Sequence, residues 1–445
     1  MRDAEAADGP LGDAELDGLF ASLADARLIA LAVSGGADSL ALMIAAARWR
    51  KRRGGMPEIV VLTVDHRLRR GSRREALDVV AAAEARGLEA RILVRKGKAP
   101  TANIEAEARG VRYRLLLDAA RALGAGHLVT AHHRDDLAEA LLMRLQRGAG
   151  VFGLAAMRSE VDAGGIALDR PFLGVPRARL AATVAAAGLA PAVDPMNDDP
   201  RFARARMRRL LPLLAREGLD PARLATTARR LADASDAVDA AASALIAAAV
   251  AVDDFAVVRL DAGQFRAAPA AVQARMVVRL LMAIGGGDYP PRHERLAALT
   301  DAMAAGAAGR FKRTLAGCVI ERRDGAFVLH REFGREGPEA VPLKRGRTIV
   351  WDRRFRVEAG RTLPAGLVVG ALGEDGRREI GAGGGLAPRG SLAALPAVRR
   401  RGRIVAVPAV GYFANSAKGL DVSIRPIVGE RLAAPPLFPD FSAGL

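Results

Sequence analysis

The segment SGGADS, Ser34 to Ser39, places two adjacent glycines, two hydroxyls and one carboxylate between an apolar run and a pattern of helical period. Glycine lets the backbone turn tightly and approach an anion, and the N–H groups that open a helix attract phosphate. Ser34 and Ser39 add hydroxyl donors. The segment predicts a phosphate-binding loop, but it is neither a GxxxxGK[ST] Walker sequence nor a GxGxxG dinucleotide fingerprint.

Asp38 is the unexpected residue in this loop. A carboxylate beside a phosphate repels it unless a cation lies between them or the carboxylate takes part in the reaction. The alternative is a helix that follows a tight turn, capped by Ser or Asp, with no ligand. Asp38 favours the first interpretation and predicts bound Mg²⁺ or a direct role in the chemistry.

A second set of polar residues occupies TAHHRDDLAEALLMRLQRGAG, Thr130 to Gly150. Asp136 and Glu139 lie three residues apart, so they share one helix face. We expect both to point away from the core, where they suit three roles: holding Mg²⁺, accepting a proton from an amine, or binding a cationic substrate. Asp135 is expected to cap the helix. The residues predicted to face the core are Leu137, Leu141 and Leu145.

Two adjacent histidines, His132 and His133, precede this helix. No cysteine or third histidine stands near them, so the pattern does not favour zinc. Hydrogen bonding or phosphate contact is the expected role. A third segment, NIEAEARGVRYRLL from Asn103 to Leu116, supplies Arg112 and further charged side chains, with an ordinary charged helix face as the alternative.

The elements that position these residues follow an alternation of short apolar runs and helical patterns between residues 27 and about 187. This alternation is typical of a parallel sheet with crossover helices, so the fold class is α/β with a doubly wound sheet. Polar residues that follow the strands meet at one sheet edge. The expected strands are Leu28–Val33, Ile59–Asp65, Ala90–Val94, His127–His132 and, more weakly, Ile166–Asp169.

The rest of the chain changes character. PAVDPMNDDP at residues 191–200 reads as a loop, and an Arg-rich helix is expected to end near Leu214. Residues 220–306 predict helices, and alternating runs beyond 310 predict strands, with a Gly-rich loop near Gly381 to Gly390. We therefore divide the chain into an extension (1–26), a catalytic domain (27–214), a helical domain (215–310) and a strand-rich domain (311–445).

The formal net charge of the 445 residues is +17, and Arg clusters at four places. Clustered Arg favours a polyanionic partner such as RNA or DNA, although aromatic residues make up only 4% and give no obvious stacking platform. The single cysteine, Cys318, excludes an internal disulfide or a four-sulfur metal site. Neither a membrane span nor a signal peptide is evident, so a cytoplasmic protein is expected.

Several segments together resemble one family. SGGADS, VDHRLRRGSRREA, NIEAEARGVRYRLL, TAHHRDDLAEALLMRLQRGAGVFGL, RPFL and DPMND occur in the order and spacing of the tRNA(Ile)-lysidine synthases, which are PP-loop ATP pyrophosphatases. The resemblance covers roughly residues 27–214. The chain departs from the family pattern at Leu137 and Ala140, where Gln and Thr are usual, and at Ala205, where Asn is usual.

The resemblance implies that ATP adenylates the C2 oxygen of the wobble cytidine in a CAU anticodon and that L-lysine then displaces AMP. Its partners would be ATP, Mg²⁺, L-lysine and tRNA(Ile), with a homodimer left open. Asp38 and Asp136 would hold Mg²⁺, Asp136 and Glu139 would bind lysine, and Arg112 would stabilise charge at the α-phosphate. The ATP-binding residues would be Ser34, Gly35, Gly36, Ala37, Asp38 and Ser39. The expected contacts to tRNA or phosphate are His132, His133, Arg204, Arg206, Arg399, Arg400 and Arg401.

Three alternatives remain open from the sequence. A sister PP-loop enzyme that thiolates tRNA would need cysteines to carry sulfur or hold an iron–sulfur cluster, and an amidating relative would need a cysteine nucleophile. The lone Cys318 disfavours both. A non-catalytic RNA-binding relative would gain nothing from carboxylates that face a polyanion.

Overall fold

The computed structural model describes residues 9–67, 71–95, 104–155, 157–192, 199–287, 290–305, 310–382, 387–417 and 419–434. The motif DPMND, residues 194–198, lies outside them, as does part of the Gly-rich loop expected near Gly381 to Gly390. The chain forms two compact units, the first ending at Ser235 and the second beginning at Asp236. No helix in the described ranges is long and apolar enough to cross a membrane.

A six-stranded sheet organises the first unit, with strand order β3-β2-β1-β4-β6-β5. Strands β1 to β4 and β6 are parallel, and β5 joins β6 in the antiparallel sense at the edge. The strands are β1 (Leu28–Ala32), β2 (Glu58–Asp65), β3 (Glu89–Val94), β4 (His127–Val129), β5 (Glu160–Asp162) and β6 (Ala167–Asp169). The predicted parallel α/β sheet is confirmed.

Helices connect and flank these strands. They are α1 (Asp13–Leu19), α2 (Ala37–Arg52), α3 (Ser72–Glu84), α4 (Ile104–Leu123), α5 (Arg134–Leu145), α6 (Val151–Leu154), α7 (Arg177–Ala186), α8 (Ala203–Arg216) and α9 (Pro221–Ala249), which continues beyond Ser235. Both faces of the sheet are covered. Ile29 and Leu31 of β1 pack in the cluster that contains α2 and α7, whereas Ala30 packs in the cluster that contains α4. Burial on both faces explains why β1 reads as a continuous apolar run.

Helix α5 differs from the prediction in two ways. Leu137 and Leu141 are buried as expected, but Leu145 is 49% exposed because it ends the helix beyond the cluster those residues share with α8 and α9. Asp135 does not cap its own helix. Its carboxylate instead accepts the backbone N–H of Arg177, the first residue of α7, at 3.0 Å.

The second unit mixes helices with three small sheets. Its helices after α9 are α10 (Ala262–Ala267), α11 (Ala270–Gly285), α12 (His293–Ala304), α13 (Gly373–Glu379), α14 (Arg389–Ala393) and α15 (Val428–Ala433). Its strands run from β7 to β19: Val250–Val252, Val258–Asp261, Lys312–Leu315, Cys318–Arg323, Ala326–Arg331, Val341–Pro342, Thr348–Trp351, Phe355–Ala359, Leu367–Ala371, Pro396–Arg400, Arg403–Val407, Tyr412–Phe413 and Val422–Pro426. The sheet orders are β7-β8-β11-β10-β9, β12-β15-β16-β17-β18 and β13-β14-β19.

The segment expected to be helical, residues 215–310, contains two strands. The Val-rich sequences of β7 and β8 pair with each other, and β8 also pairs with β11 beyond residue 310. Valine is stiff about its side-chain torsion and packs well on a pleated surface, so these short runs form strands between Ala-rich helices.

Candidate active site at the switch point of the sheet

The strand order reverses direction between β1 and β4, and this reversal creates a crevice at the carboxyl ends of the two strands. Helix α2 begins at Ala37 after β1, and α5 begins at Arg134 after β4. The two loops singled out in the sequence therefore meet at the crevice where open α/β sheets bind ligands.

The SGGADS loop is held by its own two serines. Ser39 Oγ donates to the carbonyl of Gly36 at 2.9 Å and accepts the backbone N–H of Ser34 at 3.1 Å. Gly35 has φ +87°, a conformation that side-chain-bearing residues rarely adopt, and its carbonyl accepts the N–H of Ala192 at 2.9 Å. The loop is thus preformed around one obligatory glycine.

The residue at the N-cap of α2 is Gly36, which has no side chain with which to cap the helix. The alternative of a turn capped by Ser or Asp does not match this arrangement. Ser39 bonds to backbone groups of the loop, and the Asp38 carboxylate turns toward α5. The start of α2 therefore keeps the N–H groups and the positive end of the helix dipole available to an anion.

His133 joins the two loops. Its Nε2 lies 3.5 Å from Oδ2 of Asp38 and 3.5 Å from Oδ2 of Asp136, and its side chain is 1% exposed. His133 is also the N-cap of α5: its backbone N–H donates to Asp136 Oδ2 at 3.1 Å, and Nδ1 accepts the Asp136 N–H at 3.4 Å. One buried imidazole thus fixes two carboxylates from different loops.

The electrostatics of this group follow from its geometry. Burial would lower the pKa of His133, but the carboxylates of Asp136, Asp38 and Asp135 raise it. Burial would raise the pKa values of Asp38 and Asp136, but His133 and nearby arginines lower both. The two carboxylates therefore stay ionised at neutral pH beside an easily protonated imidazole.

Glu139 does not face an open site as predicted. Its side chain is 1% exposed, and Arg208 of α8 donates to it from Nε at 2.9 Å and from a terminal nitrogen at 3.4 Å. Arg204 Nε lies 3.6 Å from Oε2, the oxygen that also accepts from the terminal nitrogen of Arg208. Burial and Asp136 raise the pKa of Glu139, whereas Arg208 and Arg204 oppose the rise. Helix α8 covers the helix face that the sequence pattern left open.

Arginines also surround His132. Its Nδ1 lies 2.9 Å from Thr130 Oγ1. Burial lowers its pKa well below the usual value, and the charges of Arg170, Arg109 and Arg204 lower it further against the opposing effect of Asp136. His132 is therefore neutral at pH 7.

Arg112 has a different environment, near Tyr113 and His66. Its guanidinium is 5.6 Å from the centre of the Tyr113 ring, and its charge contributes to the lowered pKa of His66, which burial lowers first. Since His66 follows β2, Arg112 is placed at the carboxyl end of β2. The contacts described for Arg112 do not include Asp38 or Asp136.

The other predicted tRNA contacts have separate environments. Arg206 is exposed and donates to the carbonyls of Pro200 and Arg201, both at 2.9 Å. Arg399 donates to the carbonyl of Leu372 at 2.7 Å, so it ties β16 to the segment after β15. The neighbouring Arg400 and Arg401 are exposed at the two-residue turn between β16 and β17.

An unpartnered carboxylate oxygen at this site could be a ligand for a cation. Asp38 Oδ1 is buried without a hydrogen-bond partner among the described residues, and Arg177 Nε is 3.9 Å away. Within the same residues, no group of three or more His, Cys, Asp or Glu side chains is arranged to hold a metal. One or two carboxylates with phosphate oxygens are the usual ligands of Mg²⁺, so an unpartnered oxygen beside a predicted phosphate-binding loop fits that ion.

Sequence reasoning missed Arg208 and Arg177 as parts of this site. Arg208 pairs with Glu139, and its pKa, which burial would lower, is raised by Glu139, Asp136 and Asp38. The signal available was the Arg cluster at residues 201–209, but its helical period does not say which arginine turns inward.

Comparisons with known proteins show which family the sequence resembles. The PP-loop domain model matches residues 13–214. The tRNA(Ile)-lysidine synthase of Bradyrhizobium sp. strain BTAi1 is 45% identical over 338 residues, 72% of this chain and 94% of that protein. The enzyme of the same name from Rhodopseudomonas palustris is 46% identical over 70% of this chain and 92% of its own length. That from Ruegeria pomeroyi is 36% identical over 91% of this chain and 89% of its own length. The chain belongs to the tRNA(Ile)-lysidine synthase family.

Proposed function

We propose that this chain uses ATP to join L-lysine to C2 of the wobble cytidine in CAU-anticodon tRNA(Ile), giving lysidine, AMP and pyrophosphate. The observation that carries the proposal is the pair of carboxylates, Asp38 in the first turn of α2 and Asp136 in α5, which His133 holds together beside the uncapped start of α2. Family membership names the reaction, and this group of residues supplies what phosphoryl-type transfer and amine attack require.

The first step forms a bond between the cytidine C2 oxygen and the α-phosphorus of ATP, and pyrophosphate leaves. The backbone and hydroxyls of Ser34, Gly35, Gly36, Ala37 and Ser39 bind the phosphates in this proposal. Asp38 and Asp136 would hold Mg²⁺, and its charge would offset the negative charge of the phosphates. Arg112, with Arg109 and Arg204 near His132, provides positive charge for the α-phosphate and the incoming RNA in this proposal.

The second step forms a bond between the lysine ε-nitrogen and C2, the C2–O bond breaks, and AMP leaves. The attacking amine must first lose a proton. Glu139 suits this role because its raised pKa makes it a better acceptor, whereas the lowered pKa of Asp136 suits a permanent countercharge. The lysine ammonium would take the place of Arg208, which occupies the Glu139 carboxylate in this structure.

Thiolation is the chemical alternative, and the environment of Cys318 opposes it. The thiol is fully buried, its Sγ donates to the Leu281 carbonyl at 3.5 Å, and burial raises its pKa to about 12. A sulfur carrier needs an accessible thiolate. The chain has no second cysteine.

The experiment measures AMP formation by the full chain with ATP, labelled lysine and a CAU-anticodon tRNA transcript. We expect AMP and label in the RNA only when lysine is present, and no label when the wobble base is uridine. Lysine-independent AMP formation without labelled RNA would overturn the proposal.

A further inference from the structure

The second unit contains a cleft of about 430 Å³ on one face of the sheet β7-β8-β11-β10-β9. Strand register places its polar residues side by side, because Lys312 of β9 lies opposite Glu321 of β10, and His330 of β11 lies opposite Val319. Residues on one face alternate along each strand, so Arg323 joins Val319 and Glu321. Ala387, Pro388 and Gly390 complete the lining.

The charges in the cleft do not balance. Glu321, 15% exposed, accepts from Lys312 at 2.9 Å and from Arg323 at 2.6 Å. The two cations are 67% and 49% exposed, so both reach solvent at the rim. Ordinary cross-strand pairing on a sheet surface matches one cation with one carboxylate. Here two cations share the single carboxylate of Glu321, so the mouth of the cleft keeps a net positive charge, which favours an anion.

His330 supplies the second, independent observation. Its side chain lines the cleft and is 3% exposed, and its Nδ1 lies 3.0 Å from the carbonyl of Arg331. Because a carbonyl only accepts, Nδ1 carries the proton and Nε2 is left as an acceptor. Nε2 has no hydrogen-bond partner among the described residues. Burial also lowers the pKa of His330, so the ring is neutral near pH 7.

We propose that this cleft binds a ribonucleotide, with its phosphate at the rim on the solvent-exposed sides of Lys312 and Arg323 and a hydroxyl or amino donor on Nε2 of His330. An anion with a nearby donor is what the lining requires, and the apolar Val319, Ala387 and Pro388 can contact a base or sugar. A free mononucleotide and one nucleotide of an RNA chain share this chemistry. The site is separate from the proposed lysine ligation, which uses residues of the first unit.

The test follows the Cε1–H resonance of His330 in full-length protein labelled with ¹³C-histidine, assigned by its loss in His330→Phe. The titrants are AMP, inorganic phosphate and an unmodified tRNA transcript. We expect the resonance to move with AMP, with tRNA or with both, and the responsive titrant identifies the source. No movement with either, or the same movement with phosphate alone, would overturn the proposal.

Two variants make the test specific. Lys312→Gln combined with Arg323→Gln should weaken the response at least about tenfold, because charge-assisted bonds to phosphate are the strong ones. Arg313→Gln combined with Arg322→Gln is the matched control: it also removes two positive charges, from residues of β9 and β10 whose side chains point to the opposite face, and should leave the response unchanged. Equal responses in wild type and the double variant would contradict the proposed site. Lysidine formation is assayed separately, so failure of either proposal is seen on its own.

Discussion

The role that we propose for Asp38 depends on the residues around it. Oδ2 of Asp38 lies 3.5 Å from Nε2 of His133, and the same nitrogen lies 3.5 Å from Oδ2 of Asp136. The other oxygen of Asp38, Oδ1, has no hydrogen-bond partner among the described residues. This arrangement supports our proposal that Asp38 acts on the reacting phosphates rather than in folding or in RNA affinity.

Asp38→Asn tests this assignment. The substitution keeps the shape and removes the charge, so we expect lysine-dependent AMP formation to fall by at least about 100-fold. Affinity for tRNA, measured by filter binding, should change by less than about twofold. A comparable loss of tRNA binding would contradict the separation between chemistry and RNA recognition.

His133 gives a prediction about pH and stability. Its pKa is raised in the folded protein, so the stability it contributes is fully present below its unfolded pKa, about 6.5, and is lost as pH rises through the folded value. When Nδ1 of His133 takes up a proton, it no longer accepts the weak hydrogen bond from the Asp136 N–H. The protonated ring is instead attracted to Asp135 Oδ2, which lies 3.8 Å from Nδ1.

The measurement is the free energy of unfolding of wild type and His133→Asn in urea between pH 5.5 and 8.5. The difference between the two proteins should be largest at pH 5.5 and should shrink toward pH 8.5. A difference that grows with pH would show that the imidazole is held neutral between the carboxylates.

At the scale of elements, the ion pair of Arg208 and Glu139 fastens α8 to α5. Arg208→Met would leave Glu139 buried with only Arg204 nearby, at 3.6 Å. Losing one partner of a buried pair is costly, so we expect a loss of about 2–4 kcal/mol in the free energy of unfolding. Arg208→Met combined with Glu139→Met should recover at least half of it, since an apolar pair leaves no buried charge.

Arg206→Met is the control on the same helix. Arg206 is exposed, and its hydrogen bonds within the described part of the chain go to backbone carbonyls, so its loss should cost less than about 1 kcal/mol. If the two methionine substitutions at Arg208 and Glu139 were additive in a double-mutant cycle, the ion pair would not be the connection between the helices.

The elements themselves were largely predictable. Strand β1 was expected at Leu28–Val33 and occupies Leu28–Ala32, because a parallel strand buried on both faces is continuously apolar. The sequence also predicted that the loops after β1 and β4 meet, because the carboxyl ends of parallel strands lie at the same edge of a sheet. The burial of Glu139 could not be predicted in this way, because hydrophobic periodicity identifies the polar face of α5 but not the helix that covers it. Arg208 of the covering helix, α8, lies 69 residues after Glu139 in the sequence.

The whole molecule carries a net charge of +17, and its two units contribute different parts of the proposed activity. The first unit contains every residue to which we assign chemistry. In the second unit, the turn of VRRRGR presents Arg400 and Arg401 to solvent while Arg399 is occupied with backbone carbonyls. Within this turn, Arg400 and Arg401 are therefore the candidates for contact with tRNA phosphates, and Arg399 is not.

Salt dependence of tRNA binding separates these roles. Each phosphate contact releases counterions and contributes about 0.7 to 0.9 to the slope of log affinity against log salt. Arg400→Gln with Arg401→Asn should reduce the slope by about 1.5 and leave the KM for ATP and lysine unchanged, and Asn tolerates the φ of +49° at position 401. Arg229→Gln with Arg230→Gln removes the same charge from the exposed face of α9. If this control changed the slope equally, binding would depend on total charge rather than on contacts at the turn.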